Sequence, residues 1–425
     1  MIASNILTSI VNGSLDTVLV TLYGKNALSL QKERYVEAVE EFISLYGDID
    51  ASLFSVPGRT EISGNHTDHN CGCVLAAALN LDIIAVAAKT DDGKISVKSK
   101  GFATDTVDIS NLDPSRYENY GSAAIIAGIC DGFAKRSLSY GGFLAYTTSD
   151  VLKGSGISSS AAFEVQICNI LNHLYNEGSV SAPELAKISQ HAENVFFGKP
   201  CGLMDQTACA VGGFIAIDFA DPKAPIIEKL DFRLSDAGYD LCIVNTGGNH
   251  ADLNEDYASV PAEMKAVARE FGKDALRGVT YNEVLEKLPA LRESVGDRAI
   301  MRALHFIEEN ERVRTQKKAL KSGNIDAFLN GVLASGDSSF KQLQNVFTVK
   351  NISEQGLSLA LALCKHVLDG KGGAWRVHGG GFAGTVQAFV PTHLTKSFVE
   401  TMDGAFGAGA CAVLRVRPEG AIKLL

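Results

Sequence analysis

The chain of 425 residues lacks the features that mark nucleic-acid-binding and membrane proteins. Basic residues are in deficit, with 39 Lys and Arg against 49 Asp and Glu, so the formal net charge is −10 at pH 7. This charge argues against binding to nucleic acid or to an anionic membrane, because both ligands attract basic surfaces. No uncharged apolar run reaches the roughly 18 residues of a membrane-spanning helix.

Cysteine motifs and a secretory signal are also missing. The nine cysteines are scattered singly apart from Cys71 and Cys73, without the paired spacing of a zinc site. Reduced thiols in a cytoplasmic protein are expected from this pattern. The first 18 residues have no basic segment and carry Asn5, Asn12 and Asp16, so they do not resemble a signal peptide.

Helix and strand patterns are mixed along the chain without strict alternation. Apolar residues at helical spacing predict helices over 33–46 and 161–174, and the apolar segment 74–89 predicts a strand, a turn and a second strand. Further strands are predicted at 213–219, 239–245, 385–390 and 410–417, around a helix-rich stretch at about 260–370. This order is typical of α+β layering. The length favours two domains, predicted over 21–220 and 221–425, after a helical N-terminal extension over 1–20.

A segment rich in glycine and serine precedes the predicted helix at 161–174. It reads Gly154-Ser155-Gly156-Ile157-Ser158-Ser159-Ser160-Ala161. Glycines let the backbone approach an anion, and the N–H groups at a helix start attract negative charge. The segment is not a Walker A loop, because no Gly-Lys-Ser/Thr ends it. From these residues alone it is either a phosphate loop or a serine-capped helix after a glycine turn.

A second polar segment, residues 57–72, precedes the apolar run at 74–89. Its density of charged groups and imidazoles beside apolar sequence indicates a lined pocket. The segment resembles the sugar-recognition signature of the galactokinases. The matching residues are Arg59, Gly64, His66, Asp68 and Gly72, whereas Asn65 stands where the family has Glu and His69 where it has Tyr.

Further segments resemble the same family, in the same order. Residues 154–161 are similar to the Gly-x-Gly-x-Ser-Ser-Ser-Ala motif of the GHMP kinase superfamily, and residues 198–206 to the galactokinase stretch Gly-x-x-Cys-Gly-Ile-Met-Asp-Gln. Residues 254–257 resemble a Ser-Glu-Tyr segment, and residues 377–384 the third, glycine-rich motif. The chain is thereby identified as a member of the galactokinase family. The resemblance implies a two-domain α+β fold with mixed and antiparallel sheets, packed helices and an active site between the domains.

The resemblance also implies a reaction, the transfer of the ATP γ-phosphoryl group to the anomeric hydroxyl of a sugar, with galactose as the default. Such a transfer needs positioning and charge neutralisation rather than covalent help. Asp205 is implied as the carboxylate that takes or orients the hydroxyl proton. Arg59 is implied as the cation that keeps Asp205 ionised and stabilises charge on the transferred group. Without the flanking match, a helix cap would be the expected role of Asp205.

The ligand-binding residues follow from the same resemblance. The phosphates of ATP are expected at residues 154–161, and Mg²⁺ is expected at Ser160 and Glu193, with Glu164 as the competing carboxylate. The expected sugar contacts are Asn65, His66, Asp68, Gly202 and Tyr257. Sugar and ATP are the expected partners, without nucleic acid or membrane, and a monomer is expected, with a dimer as the alternative.

Three departures from the family leave the substrate open. Asn65 replaces the Glu expected at the sugar C6 hydroxyl, His69 replaces Tyr, and Asn249 falls where some members carry a basic residue. A kinase for a C6-modified sugar such as galacturonate is therefore an alternative. The Asn amide can donate a hydrogen bond to a carboxylate, and it can donate to or accept from a hydroxyl. A non-catalytic sugar sensor is another. A mevalonate kinase is disfavoured by residues 57–72.

Overall fold

Two β-sheets, both covered by helices, make up the described part of the protein. A computed structural model describes residues 1–117, 121–151, 156–199, 201–248 and 253–425. Within these residues the larger sheet has eight strands and the smaller has four. The mixture of helices with one mixed and one antiparallel sheet confirms the predicted α+β class.

The larger sheet has the strand order β12-β1-β2-β5-β3-β4, with β6 pairing β2 and β7 pairing β6. Only β3 and β5 run parallel among its described pairs, so the sheet is mixed. Its strands are β1 Ser52–Ser63, β2 Cys73–Lys89, β3 Lys94–Ser99, β4 Thr104–Asp108, β5 Phe143–Ser149, β6 Phe214–Asp218, β7 Ile226–Leu230 and β12 Ile422–Lys423.

The predicted turn within residues 74–89 is wrong, because β2 is one strand of 17 residues. Its first part pairs with β6 and its second part with β5, while β1 runs along most of its length. Nearly all of its residues are buried. A strand covered on both faces reads as a continuous apolar run, and the sequence pattern then carries no alternation to reveal its length.

The smaller sheet is antiparallel, in the order β11-β8-β10-β9. Its strands are β8 Tyr239–Asn245, β9 Ala374–His378, β10 Thr385–Pro391 and β11 Cys411–Leu414. The described chain passes from the larger sheet to the smaller one between Leu230 and Tyr239, and the domain boundary at residue 220 stays a prediction. The hairpin of β6 and β7 keeps residues 214–230 with the first sheet, which β12 also joins from the end of the chain.

Helices cover both faces of the larger sheet. On one face lie α1 Ala3–Val11, α2 Asp16–Tyr23 and α3 Leu28–Tyr46, packed on buried residues of β1, β2 and β5. On the other lie α4 Ser122–Ala134, α5 Ser159–Tyr175, α6 Ala182–His191 and α7 Met204–Val211. A π-helical turn, Ala192–Phe197, continues α6 and carries Glu193.

The remaining helices belong to the second half of the chain. They are α8 Asn254–Glu270, α9 Tyr281–Glu286, α10 Leu288–Ser294, α11 Asp297–Lys321, α12 Ile325–Ser338, α13 Gly356–Leu368 and α14 Thr395–Phe406. Helices α13 and α14 pack on the smaller sheet. In the described part of the chain, no single helix has both the length and the apolar composition to cross a bilayer, whereas the bent pair of α1 and α2 meets those two criteria jointly.

Candidate active site

Arg59 lies in β1 beside a β-bulge, where the register with β2 shifts between Pro57 and Arg59. The backbone N–H of Arg59 donates to the carbonyl of Ile157 at 3.1 Å. Its Nη1 donates to the carbonyl of Gly156 at 2.5 Å. A bulge re-aims a strand residue, and here it brings the arginine to the Gly/Ser segment that leads into α5.

The same guanidinium forms a two-pronged ion pair with Asp205. The Nε–Oδ1 distance is 2.7 Å and the Nη2–Oδ2 distance is 2.6 Å. Asp205 is the second residue of α7, and Leu203 occupies the cap position, so Asp205 does not cap the helix. Burial acts to raise the pKa of Asp205, but the Arg59 charge and the hydroxyl of Ser158 outweigh it and hold that pKa below its usual range.

The side chain of the serine at the start of α5 hydrogen-bonds to Asp205 rather than capping the helix. Ser158 is at the cap position but makes no side-chain cap bond, and its hydroxyl donates to Oδ2 of Asp205. The serine-capped alternative is therefore wrong. Ser159 and Ser160 begin the helix and line a cavity. Ile157 and Ala161 are buried. Gly154 and Ser155, which were predicted to bind ATP, lie outside the described residues.

Asp68 and Gly202 meet on the other side of Asp205. A Cβ added to Gly202 would lie 2.0 Å from Oδ2 of Asp68, so this close approach needs glycine. Burial raises the pKa of Asp68, and the negative charge of Asp205 raises it further, against a hydrogen bond from the N–H of His69. The two carboxylates are therefore electrostatic neighbours with opposite pKa shifts, as is typical of sites that handle protons.

The two ring nitrogens of His66 have different hydrogen-bonding roles. Its Nε2 lies 2.9 Å from the carbonyl of Gly380, and a carbonyl only accepts, so Nε2 carries the proton. Nδ1 is then an acceptor. Burial lowers the pKa of His66 to about 4, so the ring is neutral at pH 7. The residue has a left-handed φ of 56°, which is uncommon outside glycine and clusters at functional sites.

Asn65 is brought beside these residues, but its amide faces the protein interior. Nδ2 donates to Glu61 Oε1 at 2.8 Å and to the carbonyl of Gly379 at 2.7 Å, which uses both amide protons. Its Oδ1 accepts from Asn345 at 2.7 Å. The side chain is 1% exposed. The geometry therefore does not support the expected contact of Asn65 with a sugar C6 oxygen.

Tyr257, at the start of α8, is tied to the glycine-rich hairpin between β9 and β10. Its hydroxyl donates to the carbonyl of Gly381 at 2.9 Å, and its ring packs edge-on against Phe382 with centroids 5.4 Å apart. Burial raises the pKa of Tyr257 to about 12. Gly381 has a φ of +78°, and a Cβ there would lie 2.0 Å from the carbonyl of Asn345, so the hairpin requires glycine at this position.

Helix α11 anchors the recognition loop, residues 64–72, between β1 and β2. Oε1 of Glu309 accepts the N–H of Gly64 at 2.9 Å. His305 Nε2 lies 2.9 Å from the carbonyl of Asn65, and Oδ1 of Asn310 accepts the N–H of Cys73 at 2.6 Å. The sequence interpretation missed these residues, because nothing in the local pattern of a helix shows which distant loop it supports.

Two buried carboxylates meet at a shared amide. Nε2 of Gln206 lies 2.8 Å from Glu193 Oε2 and 3.0 Å from Glu164 Oε2. Burial raises the pKa of Glu164, and the charge of Glu193 raises it further. Oε1 of Glu164 is buried without a hydrogen-bond partner in the described structure. Oε1 of Glu193, by contrast, lies 3.4 Å from the ammonium of Lys199.

This donor set fits a hard divalent cation. Carboxylate and hydroxyl oxygens are the ligands that Mg²⁺ prefers, together with phosphate and water oxygens. Ser160 is exposed, and Glu164 lies one helical turn further along α5, where both line the cavity. Within the described residues no three acidic, His or Cys side chains are arranged as a complete metal site. A cation here would therefore need ligands from a bound phosphate.

A cavity of about 1110 Å³ opens at the start of α5. Its polar end includes Ser159, Ser160 and Glu164. Most of its remaining wall is apolar, with Leu81, Ile83, Ile125, Phe102, Phe163 and Phe197. Such a cavity suits a flat, largely apolar ring system with a polar tail. The sequence interpretation did not predict this wall, because its residues come from separate elements without a shared motif.

Comparisons with known proteins agree with this geometry. The family model described as the galactokinase galactose-binding signature matches residues 40–89, and the GHMP kinases N terminal domain matches residues 124–213. The galactokinase of Streptomyces coelicolor is 31% identical over 382 residues, which cover 89% of this chain and 94% of that protein. The chain belongs to the galactokinase family. A galactokinase of Actinobacillus pleuropneumoniae is 33% identical over 83% of this chain and 89% of its own length.

Solved structures share the fold of this galactokinase-family chain. Lactococcus lactis galactokinase, solved in complex with galactose, superposes with a TM-score of 0.75 at 22% identity, covering 90% of this chain and 98% of that one. A mevalonate kinase superposes with a TM-score of 0.60 at 14% identity, covering 86% and 99% of the two chains. The predicted GHMP kinase fold is thus confirmed.

Proposed function

We propose that the protein transfers the γ-phosphoryl group of ATP to the anomeric hydroxyl of galactose, giving galactose 1-phosphate and ADP. The observation that carries the proposal is the Arg59–Asp205 pair, held between the start of α5 and the Asp68–Gly202 contact. This arrangement puts an ionised carboxylate, a fixed cation and an anion-binding helix start around one point. The names of the curated relatives supply the sugar.

In the proposed step, Asp205 accepts the proton of the C1 hydroxyl as that oxygen attacks. The new bond joins O1 to the γ-phosphorus, the bond between that phosphorus and the β–γ bridging oxygen breaks, and ADP leaves with the electron pair. Arg59 keeps Asp205 ionised and counters charge on the transferred group. Asp68 and Nδ1 of His66 accept sugar hydroxyls, and Gly202 leaves room for that contact. Tyr257 supports the facing hairpin.

ATP is proposed to place its base in the cavity and its phosphates at residues 154–161. Consecutive N–H groups at the start of α5 suit the phosphate anion. Mg²⁺ would be held by Ser160 and Glu193, with Glu164 as the competing carboxylate, and would neutralise phosphate charge. We further propose a monomeric cytoplasmic enzyme, as expected from the composition.

A sugar with a carboxylate at C6, galacturonate first, is the second candidate substrate. The sequence raises this candidate, because residue 65 is Asn where the family has Glu. The inward-facing amide of Asn65, bonded to Glu61, Gly379 and Asn345, adds no contact in its favour. The test compares kcat/KM for galactose and galacturonate in the wild type and in Asn65→Glu. An unchanged ratio would mean that residue 65 does not select at C6.

The proposed function is tested by a substrate panel with the purified chain. ATP consumption is followed with galactose, galacturonate, glucose and mevalonate, and the phosphorylated position is assigned by ³¹P NMR. We expect galactose to be turned over with phosphate on C1. Turnover of mevalonate alone, or sugar binding without ATP consumption, would overturn the proposal in favour of another GHMP kinase or a sensor.

A further inference from the structure

A buried arginine lies on the face of the larger sheet opposite the cavity. Arg34, in α3, has a side chain that is 11% exposed, and its Nη1 is 2.7 Å from Oδ1 of Asp82. Asp82 lies in β2 between Leu81 and Ile83, both of which line the cavity. Because successive strand residues point to opposite faces, the carboxylate and its arginine lie behind the wall that those two residues form.

The guanidinium also reaches the end of β5. Nη2 donates to the carbonyl of Asp82 at 2.9 Å and to that of Thr148 at 3.3 Å. Nη1 is 3.0 Å from Oδ2 of Asp150, and the N–H of Asp150 donates to the carbonyl of Asp82 at 3.0 Å. One side chain thus joins the middle of β2 to the end of β5.

We propose that Arg34 is a positioning residue for the nucleotide. It fixes residues 148–151, which line the cavity and precede the segment that binds Arg59. The inference rests on the proposed binding of ATP in the cavity. A planar guanidinium serves several fixed acceptors at once, whereas an ammonium has no such fork. Arg34→Lys therefore keeps a cation for Asp82 but releases the end of β5.

Arg417 provides the matched control. Its Nη1 is 3.0 Å from Oδ2 of the same Asp82, and both side chains are fully buried. Its other hydrogen bonds go to Ser55 and to the carbonyls of Glu419 and Gly420. Arg417→Lys therefore disturbs the same buried carboxylate without releasing β5.

The test measures ATP affinity by calorimetry, and KM for ATP and galactose, in the full chain and in each variant. For Arg34→Lys we expect ATP affinity to fall and KM for ATP to rise by about tenfold, with KM for galactose within about twofold of wild type. Arg417→Lys is expected to lower thermal stability and leave ATP affinity within about twofold. Unchanged ATP affinity in Arg34→Lys, or an equal loss in both variants, overturns the positioning role. Failure of the wild type to bind ATP would instead overturn the proposed function.

If Arg34→Lys does not fold, the ATP affinity of Asp150→Asn tests the positioning role instead. Asp150 is 39% exposed, so its loss leaves the buried Arg34–Asp82 pair intact. Losing an anion near the triphosphate would by direct electrostatics tighten ATP binding. Losing an anchor of β5 weakens it, by about threefold for one partly exposed ion pair. Unchanged or tighter binding overturns the proposal.

Discussion

Gly202 stands so close to Asp68 that a Cβ at position 202 would lie 2.0 Å from Oδ2 of that carboxylate. Gly202→Ala must therefore displace Asp68. We expect kcat/KM for the sugar to fall by up to about 10²-fold, because a shift of about 1 Å in a binding group costs that much, while KM for ATP stays near wild type. Gly404→Ala is the control, since its Cβ meets nothing within 4 Å. An active Gly202→Ala with normal sugar KM would remove Asp68 from sugar binding.

Asp205→Asn keeps the shape of the side chain and removes its charge. Because the reaction proposed here needs a proton acceptor, we expect kcat to fall by about 10²-fold or more in a folded protein. Asp297→Asn is the control: Asp297 also pairs through both oxygens with an arginine, Arg292, and both of these side chains are exposed. Equal turnover in the two variants would show that Asp205 takes no part in the chemical step.

The pH dependence of sugar capture should report Asp68. Burial raises the pKa of Asp68, whereas Arg59 and Ser158 lower that of Asp205 against burial. As the pH falls, Asp68 is therefore protonated first and loses its capacity as an ionised acceptor while Asp205 stays charged. We expect the acid limb of kcat/KM for the sugar to lie above the usual carboxyl pKa and to be absent in Asp68→Asn. A limb near pH 6.5 would point instead to a histidine.

The Mg²⁺ dependence of the rate tests which of the two buried glutamates is the proposed metal ligand. Glu193→Gln removes the negative charge of the proposed ligand, so the Mg²⁺ concentration for half-maximal rate should rise by about tenfold or more. Glu164→Gln is measured beside it, because the amide of Gln206 contacts both carboxylates. Binding of Mn²⁺ with ATP, followed by electron paramagnetic resonance, gives a readout independent of turnover. A shift in Glu164→Gln alone would assign the metal to Glu164.

Asn65→Asp should destabilise the fold. The amide of Asn65 donates to Glu61 and to the carbonyl of Gly379, and a carboxylate donates to neither. It would also place a second buried charge beside Glu61. We expect the free energy of unfolding in urea to fall by about 3–5 kcal/mol, as for other uncompensated buried charges. A wild-type midpoint would mean that the residue faces the solvent-filled site.

The fold class followed from the sequence because strand and helix signals are local. The predicted helix at 161–174 corresponds to α5, Ser159–Tyr175, and the predicted strand at 239–245 to β8. The meeting of Arg59 with Asp205 could be anticipated through family motifs, although 146 positions separate them. Their roles, like those of the other expected site residues, remain predictions until the variants are measured.

The rest depends on contacts between distant residues. The inward orientation of Asn65 is set by Asn345, 280 positions away, and by Gly379 in a hairpin of the other sheet. The left-handed φ values of His66, Ser158 and Phe382, between 55° and 60°, fall on residue types that give no local sign of them. A sequence pattern reports which side chains are present, but long-range packing decides where each one points.

The anchoring of the recognition loop by α11 has an evolutionary consequence. Gly64 and Glu309 are 245 positions apart, yet the loop cannot keep its shape without the helix that satisfies its backbone. The recognition loop and helix α11 are therefore expected to change together in evolution. A chimera that exchanges the first 220 residues between relatives should lose sugar recognition unless residues 305–345 travel with them. Compensating substitutions across that distance are expected wherever either stretch has diverged.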